Sequence, residues 1–139
     1  MTRRSLSYLT LLGVNLFSQD LVQASLVCSD SQGTYANFLG ASFGSLSSAN
    51  FKNASLIRAR FSSSNLSNAN FEKAILRDAD MRWVHLEGAN LQGANLTGAY
   101  LRRANPKDAN LEGTNLKDVR VDDRVAAQIR DFQAKQTRL

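Results

Sequence analysis

The sequence predicts an all-β solenoid, and three features of residues 49–116 carry that prediction. The stretch repeats every five residues with no insertion or deletion. The first residue of each unit is small, and up to Ala109 it is alanine at eleven of thirteen positions. The residue two places later is large and apolar, mostly leucine or phenylalanine. A period of five matches neither the 3.6-residue face of a helix nor the two-residue alternation of an ordinary strand.

The spacing within one unit predicts its geometry. The small and the large residue are two apart, so in an extended segment both point to the same side, and the residue between them points outward. Only two residues separate the large residue from the next small one, which is enough for a corner and too few for a strand. Each pentapeptide therefore forms one side of a polygon, and the inward side chains build one apolar axis.

The motif Ala-(Asp/Asn)-Leu-x-x, present for example at residues 89–93 and 94–98, resembles the repeat of the pentapeptide-repeat family. The resemblance covers residues 49–116, about half of the chain, with a looser lead-in from Ala36. It implies a right-handed quadrilateral parallel β-helix with four pentapeptides in each coil. Over residues 36–121 that arrangement gives about four coils.

Coils of twenty residues place every residue above the one twenty positions earlier, so the large residues should be stacked, with Leu76 and Leu96 wholly buried. Val84 is larger than the residues at the other small positions up to Ala109. It should lie between Ser64 and Ala104, which leave room for its methyl groups. Pro106 has no N–H to donate and should sit in the last full coil, where a missing donor costs least. The asparagines that precede the large residues are expected to form outward ladders between coils.

Residues 1–24 are typical of a cleaved secretory signal. Arg3 and Arg4 give a basic start, residues 6–17 are apolar, and small residues lead up to the predicted cleavage between Ala24 and Ser25.

Two questions about this segment stay open in the sequence. The Arg3-Arg4 pair also fits a twin-arginine export motif, so the export route is undecided. Alternatively, residues 1–24 could continue the repeats, but Arg4 and Gln19 would then point into an apolar axis without a partner. The apolar run is too short for a transmembrane helix.

The segments that flank the repeats are predicted to be caps. Residues 25–35 should cover the first coil, with the single cysteine, Cys28, half-buried there. An irregular corner is expected at residues 44–48, because the repeats before it are in a different phase.

After Val121 the pattern changes, and residues 122–139 are expected to form a short capping helix and a tail. In that helix Asp122-Asp123 would cap the start and the apolar residues fall at helical spacing: Val125, Ala126, Ile129 and Phe132.

The sequence predicts no catalytic, cofactor-binding or metal site. One histidine, His85, and one cysteine cannot build a histidine-based metal site or a catalytic triad. A glycine-rich phosphate loop is also missing, and the carboxylates are spread over outward positions and corners. We therefore expect a protein that is not an enzyme.

One face of the solenoid is the candidate interaction patch. Exposed tryptophan and tyrosine beside arginine are typical of protein interfaces, and they also suit anionic polymers. An ordinary solvated face, with the tryptophan supported by arginine side chains, is the alternative interpretation. The twenty-residue register groups these patch residues: Arg60, Arg82, Trp83, Tyr100, Arg102 and Arg103.

The net charge of the chain distinguishes between the possible functions. Family members that protect gyrase are acidic rods resembling DNA, whereas this chain carries 17 basic and 12 acidic side chains, a net charge of +5. The sequence therefore favours an exported structural or protein-interaction module, in a bacterial periplasm or in the thylakoid lumen of a photosynthetic source. The alternatives are a cytoplasmic DNA-mimic regulator of a topoisomerase and a subunit of an enzyme whose catalytic groups lie on another chain.

We expect an unknown protein partner rather than nucleic acid, no stable membrane anchor after cleavage, and a monomer or weak dimer.

Overall fold

The computed structural model describes residues 46–137, and its framework is a stack of coils of twenty residues each. Isolated parallel bridges join residues that are twenty apart, from Asn50–Asn70 to Tyr100–Arg120. The paired residues are thus separated by four pentapeptides, the spacing that the family resemblance implies. Each bridge involves one residue per unit, and no longer strand forms within residues 46–137. The predicted β-solenoid is confirmed over this part of the chain.

Backbone hydrogen bonds hold neighbouring coils together. The N–H of Phe51 donates to the carbonyl of Asn70 at 2.7 Å, and the N–H of Asn70 donates back to the carbonyl of Ala49 at 2.9 Å. The same pattern recurs along the stack, so most of the polar backbone around the axis is paired. Because each coil bonds only to its neighbours, a single coil has no stability of its own and the stack acts as the folding unit.

Every corner is a four-residue turn whose third residue has a positive φ. The N–H of Ala54 closes one such turn by donating to the carbonyl of Phe51 at 2.9 Å. The fifth residue of each unit has φ between 56° and 72°, which is the left-handed conformation that a type II turn requires at this position.

The asparagines before the large residues support these corners locally. Asn50 Oδ1 accepts the N–H of Lys52 at 3.0 Å, and the same bond is made by eight asparagines in all. The expected ladders of asparagines between coils are therefore wrong for these oxygens. The N–H two residues ahead lies within reach of the side chain inside its own unit, as in an Asx-turn.

The inward residues form one continuous apolar axis. The large residues from Leu46 to Leu96 are at most 1% exposed, and the rings of Phe51 and Phe71 stack with centroids 4.8 Å apart. Val84 is buried and its column neighbours are fully buried, as predicted. Burial decreases toward the C-terminal end, where Leu116 is only half-buried. Leu76 and Leu96 are completely buried, as predicted, whereas Leu116 has no further coil above it.

Pro106 lies at the first large position that has no coil above it. The N–H of Leu101 is the last of the large-residue donors to reach the next coil, bonding to the carbonyl of Arg120 at 2.8 Å. The equivalent acceptor for position 106 would be residue 125, which belongs to the C-terminal helix. The missing N–H of proline therefore removes no bond between coils.

The C-terminal helix, α1, spans Asp123–Gln136 and covers the last coil. Asp122 is the N-cap, and its Oδ1 accepts the N–H of Val125 at 3.1 Å. Val125 and Ile129 are buried on the end of the apolar axis, and Phe132 packs against it half-buried. These are residues that the helical spacing assigned to the inner face of a cap.

Several predictions concern residues outside the described range. They are the signal peptide, its cleavage between Ala24 and Ser25, the cap at residues 25–35 with Cys28, the first repeats, and residues 44 and 45 of the irregular corner. The other residues of that corner, 46–48, form a regular turn of the stack. Within residues 46–137, no helix is both long enough and apolar enough to cross a membrane.

Candidate interaction surface

The coil stack brings the six predicted patch residues onto one face, which we call the arginine–aromatic face: Arg60, Arg82, Trp83, Tyr100, Arg102 and Arg103. Bridges connect position 60 to 80, 80 to 100 and 100 to 120, and the N–H of Trp83 donates to the carbonyl of Arg102 at 3.1 Å. Asp80 and Arg120 share the central column, although the candidate set left them out. The twenty-residue register that groups Arg60 with Tyr100 also identifies both of them.

Trp83 is the most unusual residue on this face. It is 57% exposed, and it is the sole large apolar side chain in residues 46–137 that is exposed. The guanidinium of Arg103, one coil above, lies 5.3 Å from the centroid of the indole ring. This is the geometry of a cation–π contact. The indole ring and the guanidinium group together form a flat surface on the outside of the rod.

Tyr100 has a comparable arginine partner. The guanidinium of Arg120 lies 4.5 Å from the ring centroid, and its Nη1 donates to the tyrosine hydroxyl oxygen at 2.8 Å. Both aromatic side chains of the face are therefore covered on one side by a guanidinium.

Asp80 and Arg82 form a bidentate ion pair within this face. Arg82 Nε donates to Oδ1 at 2.8 Å and Nη2 donates to Oδ2 at 2.7 Å. The hydrogen bond from Arg82 lowers the pKa of Asp80 below its ordinary value, although burial raises it, and the charge of Arg60 adds to the lowering. The charge of Arg82 is thus largely neutralised. Within residues 46–137, the guanidinium groups of Arg60, Arg102 and Arg103 form no direct ion pair, although the charge of Arg60 acts on Asp80 and that of Arg103 acts on Asp122.

Arg82→Ser is expected to raise the pKa of Asp80 toward its ordinary value, because it removes the bidentate hydrogen bonds. In the parent, the depressed pKa means that Asp80 stabilises the fold fully above about pH 4 and loses this contribution as the pH falls through its folded-state pKa. NMR titration of the Asp80 carboxyl carbon measures the shift directly. Arg102→Ser, which removes an unpaired arginine, serves as the control and should move the titration less. An Asp80 titration that is identical in Arg82→Ser and the parent would contradict the assignment.

A second polar cluster lies on another face, at His85. Its Nδ1 is 3.2 Å from Glu87 Oε1, and Asn105 Nδ2 donates to the same oxygen at 2.6 Å. Burial raises the pKa of Glu87, but hydrogen bonds from its own backbone, His85 and Asn105 outweigh burial and lower the pKa. In the part of the chain that the structure describes, no group of three His, Cys, Asp or Glu side chains is arranged to hold a metal ion.

Two kinds of comparison relate this chain to known proteins. The family profile of pentapeptide repeats matches residues 45–82 and 79–118, with 8 copies of the repeat. No curated protein sequence matches the chain.

Among solved structures, a pentapeptide repeat protein from the cyanobacterium Cyanothece is 36% identical with a TM-score of 0.57, over 64% of this chain and 57% of that one. This chain therefore spans little more than half the length of the cyanobacterial protein. A pentapeptide repeat protein from the Arabidopsis thaliana thylakoid lumen is 28% identical with a TM-score of 0.65, over 88% of this chain and 80% of that one. Because the family profile matches more than half of the chain, and the coils have the corresponding twenty-residue register, this protein belongs to the pentapeptide-repeat family.

Proposed function

We propose that this protein is an exported, non-enzymatic interaction module that binds a protein partner through its arginine–aromatic face. The observation that carries the proposal is Trp83, which is 57% exposed, whereas the other large apolar side chains in residues 46–137 are buried or half-buried. Tryptophan, tyrosine and arginine dominate the binding energy of protein interfaces, and all three are adjacent here. The scaffold in this proposal is a right-handed quadrilateral β-helix of about four coils, with α1 as its C-terminal cap.

The rigidity of this surface supports a role in binding. The side chains stand on coils that are tied together by backbone hydrogen bonds, with paired residues held at the twenty-residue spacing. Arg103 and Arg120 further hold the two aromatic rings from one side. A surface that is ordered before binding loses little conformational entropy when a partner docks.

The proposed location is outside the cytoplasm, in a periplasm or a thylakoid lumen. Residues 1–24 have the pattern of an export signal, and the similar Arabidopsis protein comes from the thylakoid lumen. Fractionation of cells combined with intact-mass measurement tests this location. A species that begins at Ser25 outside the cytoplasm supports it, whereas a full-length chain confined to the cytoplasm contradicts it.

Charge argues against the DNA-mimic alternative, because a mimic needs an acidic rod and this chain has a net charge of +5. The arginine–aromatic face is itself rich in arginine, whereas the surface of a DNA mimic would be acidic. A role as the non-catalytic subunit of an enzyme is compatible with the same surface, since such a subunit would also bind a partner chain. In that case the partner captured by the face would carry the catalytic groups.

Substitutions on the face are expected to abolish partner capture without unfolding the rod. Trp83→Ala, and separately the triple change of Arg82, Arg102 and Arg103 to serine, should lose proteins that the parent captures from an extract of the exported compartment. Outward positions contribute within about 0.5 kcal/mol each to stability, so circular dichroism should show a folded protein.

The matched control removes three positive charges from other faces, by changing Arg77, Lys107 and Lys117 to serine, all of which are exposed. This control should capture the same proteins as the parent. If Trp83→Ala and the face triple variant also capture the same proteins as the parent, the face is ordinary solvated surface and the proposal is wrong.

A further inference from the structure

The fifth residues of the units lie at the corners of the rod and form four columns. One column differs from the other three because its residues adopt the left-handed backbone conformation less readily. All of these corner residues have a positive φ, which glycine adopts freely and which asparagine and aspartate tolerate. Three columns of four residues each contain three residues of these types, and the remaining member is Ser48, Arg58 or Lys73. The fourth column, on the arginine–aromatic face, contains none: it consists of Ser63, Trp83 and Arg103, with φ of 64°, 61° and 62°.

Packing inside the rod does not explain this strained column. A bulky side chain at positive φ is unfavourable, yet Trp83 points outward and is 57% exposed. Its ring lies beside the guanidinium of Arg103, whose backbone has the same conformation in the next coil. Strain that persists at exposed positions without a packing benefit is typical of binding sites.

The charges around this corner indicate what it binds. Arg82 is paired with Asp80, while the guanidinium groups of Arg60 and Arg102 form no direct ion pair within residues 46–137. Unpaired guanidinium groups bind carboxylates with two parallel hydrogen bonds.

A continuous polyanion suits this surface less well than separate carboxylates do. Asp80 neutralises Arg82 in the central column, and Asp122 closes the same face at its C-terminal end. A phosphate backbone that followed the coils would pass the neutralised Arg82 and then meet the negative charge of Asp122. An acidic protein segment can instead place single carboxylates on the arginines and leave the aspartates in water.

We infer that the Trp83–Arg103 corner is kept in its strained conformation to bind a carboxylate-rich protein segment, whose acidic side chains pair with Arg60 and Arg102. This inference rests on the proposed function and specifies the partner. The segment would lay an apolar side chain against the indole of Trp83, and its carboxylates would reach the arginines on either side.

Trp83 provides the assay, because it is the only tryptophan in the chain. The full chain is titrated with a short synthetic peptide of aspartate and glutamate around one phenylalanine, while tryptophan emission is recorded. A saturable emission change that weakens with added salt is expected. Changing Arg60 and Arg102 to serine should weaken binding by at least about tenfold, since each charged hydrogen bond contributes over 1 kcal/mol. The charge-matched control, Arg77 and Lys107 to serine, should leave the affinity unchanged.

Two reference ligands make the outcome decisive: the same peptide with lysine at every acidic position, and a single-stranded DNA oligonucleotide. No saturable change with the acidic peptide, or equal binding of the lysine peptide, would overturn the inference. DNA binding tighter than that of the acidic peptide at the same salt concentration would overturn it as well. If the peptide fails while Trp83→Ala still loses captured protein, the proposed function stands and only the partner chemistry is wrong; if capture is also unaffected, both fail.

The strain has its own test, independent of any ligand. Trp83→Asn should raise the melting temperature by roughly 2–6 °C, because asparagine tolerates the left-handed conformation, and it should abolish peptide binding. The reciprocal change at an equivalent corner on another face, Asn53→Trp, should lower the melting temperature by a similar amount. A lower melting temperature in Trp83→Asn would show that the tryptophan serves the fold, which contradicts the inference.

Discussion

Replacing Leu76 with alanine is expected to lower the free energy of unfolding by about 2–5 kcal/mol. Leu76 is completely buried, and its N–H donates to the carbonyl of Asn95 at 2.7 Å in the next coil. The coils above and below are fixed by similar bonds, so the axis cannot collapse to fill the space left by the side chain. Most of the cavity should therefore persist, which places the expected loss toward the upper part of that range.

Chemical denaturation followed by circular dichroism measures this loss. Gln92→Ala is the matched control, because Gln92 is exposed on the outside of the same stack, and it should change the stability by no more than about 0.5 kcal/mol. If Leu76→Ala and Gln92→Ala shifted the unfolding midpoint equally, the twenty-residue register and the apolar axis would both be wrong.

Removing α1 is expected to turn the protein into soluble oligomers or aggregates. The helix buries Val125 and Ile129 against the end of the axis, and it lies beside Leu111 and Leu116 of the last coil. A chain that ends after Val121 would expose these leucines together with backbone groups of the last coil that have no coil to pair with. Such an edge is a template for pairing with another chain, and solenoids need a polar cap for solubility.

Light scattering during size-exclusion chromatography measures the mass of the truncated chain. A full-length variant with Val125 and Ile129 changed to aspartate separates loss of apolar contact from loss of residues, and it should oligomerise as well. A truncated chain that remains monomeric would remove the capping role from α1.

The strict period explains why the fold could be predicted so far from the sequence. Each unit repeats the same constraints of a small residue, a large residue and a two-residue corner, so the register of one unit determines the register of all. This register correctly placed Val84 in its column and Trp83 on the same face as Tyr100. The family resemblance supplied what the period did not contain, the number of units in a coil.

Other details depended on interactions that a period cannot encode. The Asp80–Arg82 pair and the stacking of Arg120 on Tyr100 depend on side-chain rotamers and on which neighbouring charge is nearest. The asparagine side chains were expected to bond between coils, but the closer N–H within the unit takes the hydrogen bond. The strained corner at Trp83 became visible only when the backbone showed that the fifth residue of each unit is left-handed.

Trp83 is proposed to anchor a protein partner, and one affinity measurement tests this role most directly. Isothermal titration calorimetry of the captured partner against the parent and against Trp83→Ala, at the same salt concentration, gives the two dissociation constants. A buried tryptophan at the centre of an interface contributes at least 2 kcal/mol, so the substitution is expected to weaken binding by at least about 30-fold. Equal dissociation constants for the parent and Trp83→Ala would contradict the account.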